Sequence, residues 1–167
     1  DRREKSAYTI DYADLYRKGY RGVIFDIDNT LVPHGAPATK EAAAFFASLR
    51  ETGFSTCLLS NNQKPRVAPF ADAVGSIYIE NAHKPSVKNY QEACRRMGIK
   101  EEQAVFVGDQ LFTDVYGAKR TGLYNILTEP INPKEEIQIV LKRYLEHIVL
   151  FFYERDLARG RITKKNS

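Results

Sequence analysis

The chain has 167 residues, 43% apolar and 28% charged, which is one domain's worth of core and excludes a wholly disordered protein. No stretch reaches the ~18 apolar residues of a membrane span and no secretory signal pattern is present, although the first residue is Asp, which leaves an upstream targeting segment open. The formal net charge of +4 belongs to the tail, where Arg155, Arg159, Arg161, Lys164 and Lys165 face Asp156 alone; nucleic-acid binding is not expected of the rest.

Residues 1–7 are charged and unpatterned and read as loose. Asp11 caps a short helix that stops at Gly19. Gly22–Ile27 reads as a buried strand. Thr39–Thr52 reads as a helix with Ala42, Phe45, Phe46 and Leu49 at helical spacing and Gly53 as its stop. A strand over Phe54–Leu59, a short helix over Arg66–Ala73 and a short strand over Ser76–Ile79 follow. Ser86–Met97 is a helix stopped by Gly98, and Ala104–Val107 a strand. Asp114–Thr121 lies in a helix ended by Gly122, before a strand over Leu123–Leu127. Cys57 and Cys94 sit in apolar segments without metal-ligand spacing and read as reduced core thiols of a reducing compartment.

From Ile137 to Leu157 apolar residues dominate, with an unbroken run over Val149–Tyr153 and five cations beyond it. That pattern suits a helix closing the core, a dimer contact, or an interfacial helix whose basic flank meets an anionic membrane. The expected organisation is a catalytic core over 8–133 and a C-terminal helix and basic tail over 134–167, packed on it or extending from it. Strands alternating with helices predict an α/β fold: a Rossmann-like three-layer sandwich around a central parallel sheet.

In such folds ligands bind past the carboxyl ends of the strands. Polar residues follow each predicted strand: Asp26-Ile27-Asp28, Ser60-Asn61-Asn62, His83-Lys84 and Gly108-Asp109. Residues two apart on a strand share a face, so Asp26 and Asp28 are expected in one pocket. Their chemistry suits phosphoryl transfer. Asp26 is the candidate nucleophile, and Asp28 the acid that protonates the leaving group and then activates water. Asp26, Asp28 and Asp109, with a backbone carbonyl, are candidate Mg²⁺ ligands, and Asp114 orients that shell from outside. Lys84 neutralises charge on Asp26 and the phosphoryl oxygens, and Ser60 with nearby amides binds those oxygens. Asn29, Asn61 and Arg66 are candidate substrate contacts, Arg66 to an anionic headgroup.

This series resembles the four motifs of the haloacid dehalogenase superfamily: Asp26-Ile27-Asp28-Asn29-Thr30, then Ser60, Lys84, and Gly108-Asp109 with Asp114. The resemblance covers about residues 20–130 and implies a Mg²⁺-dependent phosphatase working through an aspartyl-phosphate. Asp28 matches phosphomonoester hydrolases, since dehalogenases lack it and transport ATPases carry Thr there. The short spacings Thr30–Thr39 and Ser60–Lys84 leave no room for a cap domain. An open site favours a large substrate that covers it.

Asp28–Pro33, Ser60-Asn61-Asn62 with Arg66-Val67, and Gly108–Val115 are similar to the cap-less subclass IIIA branch, which includes the phosphatidylglycerophosphate phosphatases and their bacterial relatives. The chain departs from that branch at His34 and at Ala118-Lys119. By resemblance the substrate is the terminal phosphomonoester of phosphatidylglycerophosphate; the expected location is cytoplasmic, with room for a peripheral contact at the inner face of a membrane. A phosphoprotein, a soluble nucleotide or sugar phosphate, and an inactive binding scaffold are the alternatives.

Overall fold

A computed structural model describes residues 2–133; the helix and basic tail expected over 134–167 lie outside the described residues. Six strands, β1 (Arg2–Glu4), β2 (Gly22–Phe25), β3 (Ser55–Leu59), β4 (Ile77–Ile79), β5 (Ala104–Gly108) and β6 (Tyr124–Thr128), form one sheet in the order β1-β6-β5-β2-β3-β4. Every pairing is parallel. Helices α1 (Tyr12–Arg17), α2 (Lys40–Thr52), α3 (Lys64–Val74), α4 (Val87–Met97) and α5 (Tyr116–Thr121) supply the connections.

The layering follows from the alternation of side chains along each strand. Val23, Phe25, Leu58, Val105 and Val107 point to one face, where Leu15, Ala42, Phe46, Leu49, Val67 and Phe70 of α1, α2 and α3 cover them. The intervening Ile24, Cys57, Leu59, Ala104 and Phe106 point to the other, against Tyr90, Ala93 and Cys94 of α4 and Ala118 of α5. With both faces buried, the strands read as continuous apolar runs. Both cysteines are free and buried.

Local chemistry sets the boundaries. Thr39 Oγ1 accepts the amide of Ala42 at 3.0 Å and opens α2. Gly53, in the left-handed region at φ 102°, closes it. The third helix begins at Lys64, two residues before the predicted start, because Pro65 fits the first turn.

Two expectations are corrected. The amino-terminal residues are not loose throughout: Arg2–Glu4 pair with Ile126–Thr128 as an edge strand held by backbone hydrogen bonds, which a charged sequence can make as well as an apolar one. The helix expected around Asp114 begins as a wide π-helical turn over Leu111–Val115 and becomes α-helical only at Tyr116.

Among the described residues there is no cap domain. Ser60 to Lys84 carries only α3 and β4, and Thr30 to α2 is a loop. No helix among the described residues is long and apolar enough to cross a membrane.

Candidate active site

The sheet brings the predicted residues to one edge. Asp26 follows β2, Ser60 follows β3, Lys84 lies beyond β4 and Asp109 follows β5. All four are buried, as are Asp28, Asn29, Thr30 and Asp114.

Lys84 is the hub. Its Nζ donates to Asp26 Oδ1 at 2.5 Å and to Asp114 Oδ1 at 2.6 Å, with only 4% of its side chain exposed. Asn61 holds it from behind: Asn61 Oδ1 accepts the Lys84 amide at 2.7 Å and Asn61 Nδ2 donates to the Lys84 carbonyl at 3.4 Å. The Asn61 amide expected to face substrate is thus engaged in fixing Lys84. Asp26, Asp109 and Asp114 each offer an oxygen within 4.8 Å of the others. Thr30 Oγ1 donates to Asp109 Oδ1 at 2.9 Å and ties the loop after β2 to that after β5.

Two buried carboxylates, Asp26 and Asp114, share one ammonium, and a third, Asp109, lies beside them. Burial pushes Asp26 up to about 8, helped by the charges of Asp114 and Asp109 and opposed by Lys84. Burial alone would drive the Lys84 ammonium to give up its proton, but Asp114 and Asp26 outweigh it and shift the group upward, so it stays charged. Hard oxygen donors carrying excess negative charge are the set that suits Mg²⁺, whereas soft metals call for thiolate or imidazole. On donor chemistry the cluster fits such a cation.

Asp114, expected to act from outside the ligand shell, belongs to the cluster itself. The wide turn folds its side chain back so that Oδ2 accepts the Gln110 amide at 3.1 Å. A Cβ at Gly108 would fall 2.8 Å from Asp114 Cγ and from the Phe106 ring, so only glycine lets this carboxylate lie on the strand end. Tyr90, on α4, donates to the Thr113 carbonyl at 2.7 Å and braces the same turn. Burial, then the Asp114 charge, pushes that phenol upward and keeps it a donor.

The Asp28 carboxylate lies outside the cluster formed by Asp26, Asp109 and Asp114. The reason is local: β2 ends at Phe25, so Asp26 and Asp28 occupy the loop beyond it and the shared-face rule lapses. Asp28 Oδ2 accepts from Asn62 Nδ2 at 2.6 Å, and Oδ1 from the Gly35 amide at 2.7 Å and from Arg66 at 2.9 Å. His34 Nδ1 stands 4.0 Å away. Arg66 thus reaches this acid. Asn29, at φ 62°, has a buried Oδ1 with no hydrogen-bond partner among the described residues.

Sequence reasoning did not assign roles to Thr30, Asn62 or Tyr90. The first two stand inside the quoted motifs and were within reach of a geometric argument. Tyr90 carries no signal beyond helical periodicity.

A three-layer α/β domain with acids and a lysine gathered at its strand ends defines a hydrolase with a phosphate-type site. A profile described as haloacid dehalogenase-like hydrolase matches residues 35–122. The chain is 34% identical over 152 residues to "Probable phosphatase YqeG" of Bacillus subtilis, covering 90% of this chain and 88% of that protein. It is 29% identical over 161 residues to "Phosphatidylglycerophosphate phosphatase 1, chloroplastic/mitochondrial" of Arabidopsis thaliana, covering 90% of this chain and 46% of that protein. The fold matches a crystal structure of an uncharacterized protein from Corynebacterium glutamicum, with TM-score 0.55, 22% identity, and 73% and 93% of the two chains covered. The chain belongs to the haloacid dehalogenase-like hydrolase family. Within it, this is a phosphatase, an enzyme that hydrolyses phosphoric monoesters.

Proposed function

We propose that the protein hydrolyses the terminal phosphomonoester of phosphatidylglycerophosphate through phosphorylation of Asp26, with Mg²⁺ as cofactor. Asp26, Asp109 and Asp114 are the residues to hold the ion. When bound, it supplies positive charge that polarises the phosphoryl oxygens.

In the first half-reaction an Asp26 oxygen bonds to phosphorus, the bond to the leaving oxygen breaks, and Asp28 gives that oxygen its proton. In the second, water attacks the aspartyl-phosphate while Asp28 takes its proton. The bond to Asp26 breaks and inorganic phosphate departs. Lys84, fixed by Asn61, balances Asp26 and the phosphoryl oxygens; Ser60 and neighbouring amides bind those oxygens as they gain charge. Asn62, Arg66 and the Gly35 amide orient Asp28, a positioning task for Arg66 in place of a headgroup contact. Asn29, whose buried oxygen has no hydrogen-bond partner among the described residues, keeps a substrate-binding role.

The observation that carries the lipid substrate is the similarity to a phosphatidylglycerophosphate phosphatase across 90% of this chain, joined to an opening without a cap among the described residues. The test is phosphate release from phosphatidylglycerophosphate in mixed micelles, set against a nucleotide, a sugar phosphate, a phosphopeptide and an aryl phosphate. A clear preference for the lipid is expected, with all turnover lost in Asp26→Asn. Preference for a soluble ester defeats the lipid reading, and turnover retained by Asp26→Asn removes the nucleophile.

A further inference from the structure

Among the described residues five large apolar side chains are exposed: Ile77, Leu111, Phe112, Tyr116 and Ile131. Four of them lie at the phosphate-site end of the sheet. Leu111 and Phe112 are the second and third residues after Asp109, and Tyr116 is the second after Asp114. Ile131 donates its amide to the Asn29 carbonyl at 2.9 Å. The strands these loops follow, β5 and β6, are neighbours, so the loops are adjacent too. Phe112 is 79% exposed, an unusual position for a phenylalanine with no contact to satisfy.

Charge accompanies the patch. From Gln110 to Gly122 the exposed charged residues are Lys119 and Arg120, because Asp114 is fully buried, and in the loop after β6 Glu129 is exposed two residues before Ile131. The Arg120 guanidinium lies 5.6 Å from the Tyr116 ring centre, which brings a cation back toward the apolar side chains. Aromatic and aliphatic groups edged by cations are what an interface with anionic lipid rewards: the rings enter the acyl boundary and the cations meet the headgroups.

We propose that Leu111, Phe112, Tyr116 and Ile131 form a docking surface that enters an anionic bilayer and presents the phosphate site to the membrane plane. This rests on the lipid reading above and adds where the protein meets the lipid. A phosphomonoester on a lipid headgroup then reaches the site from the side on which the apolar rim stands. No cap is needed, because the bilayer covers the opening.

The chain contains no tryptophan, so single replacements report their own surroundings. Phe112→Trp and, at the opposite edge of the sheet, Ile77→Trp are made in the full chain. Both are mixed with vesicles of phosphatidylcholine with or without phosphatidylglycerol. No phosphomonoester is present, so binding is read without turnover, and hydrolysis of dispersed lipid is decided separately. The expected result is a blue shift at 112, quenched by brominated acyl chains, with the anionic vesicles only, and none at 77. Phe112→Ser should weaken co-sedimentation with those vesicles by about tenfold. Vesicle binding with an unshifted signal at 112 overturns the proposal by placing the contact elsewhere, and absence of binding overturns it outright. A shift without vesicles that grows with protein concentration assigns the surface to a second copy instead.

Discussion

Removing Lys84 isolates the electrostatics of the site. Among the described residues its ammonium is the one cation seen within hydrogen-bond reach of Asp26 and Asp114, at 2.5 and 2.6 Å, and all three side chains are nearly or fully buried. Lys84→Met keeps much of the stem and deletes the charge, leaving buried carboxylates uncompensated. Breaking a buried pair from one side costs about 3–5 kcal/mol, and loss of a charge aimed at the reacting phosphate costs about 100-fold or more in turnover.

The pH dependence has a definite sign. Without metal, burial and the neighbouring carboxylates push Asp26 up to about 8. The stability this contributes is complete below the ordinary carboxylate range, near ~4, and is lost as pH rises through about 8. Deleting Lys84 removes the group that favours the charged carboxylate, so the deficit is largest in alkaline solution and shrinks toward about pH 5. Denaturant unfolding of metal-free parent and variant across that range measures it, with phosphate release as the companion assay. Lys84→Met with Asp114→Asn should recover roughly 1 kcal/mol or more relative to additivity. A variant as stable as the parent at alkaline pH, or a deficit that grows toward acid, refutes the reasoning.

Gly108→Ala places a methyl group against Asp114 and the Phe106 ring, with a cost of about 1–3 kcal/mol and a parallel loss of activity. Thermal unfolding checks it, and an unchanged midpoint would mean that Asp114 yields without penalty. Arg66→Ala should lower kcat about tenfold with little change in KM, since the guanidinium sits 2.9 Å from Asp28. Steady-state kinetics on the lipid decides the matter: a raised KM with kcat intact would return Arg66 to the headgroup.

Much of this was legible because a parallel sheet turns chain order into position. Once the apolar runs are recognised as strands, their carboxyl ends share one edge, and Asp26, Ser60, Lys84 and Asp109 must meet there. Helix ends were legible where one residue carries the signal, as at Thr39, Gly53, Gly98 and Gly122. Periodicity failed where backbone pairing replaces side-chain pattern, as at Arg2–Glu4. It failed again past the end of β2, where Asp28 turns to Arg66 and Asn62. The wide turn that returns Asp114 to the cluster is likewise a matter of backbone geometry, which Gly108 permits and no hydrophobic spacing announces.

The edge position of β1 carries a consequence for biosynthesis. Its partner, β6, is the last strand among the described residues, so β1 leaves the ribosome well before β6 and waits for it before this edge of the sheet can form. Until then the border of β5 that β6 will cover has no neighbour to take its hydrogen bonds. Nascent chains in that interval present one another with an open template, and crowding or slow translation near the end of the domain weighs more heavily than the stability of the finished core suggests.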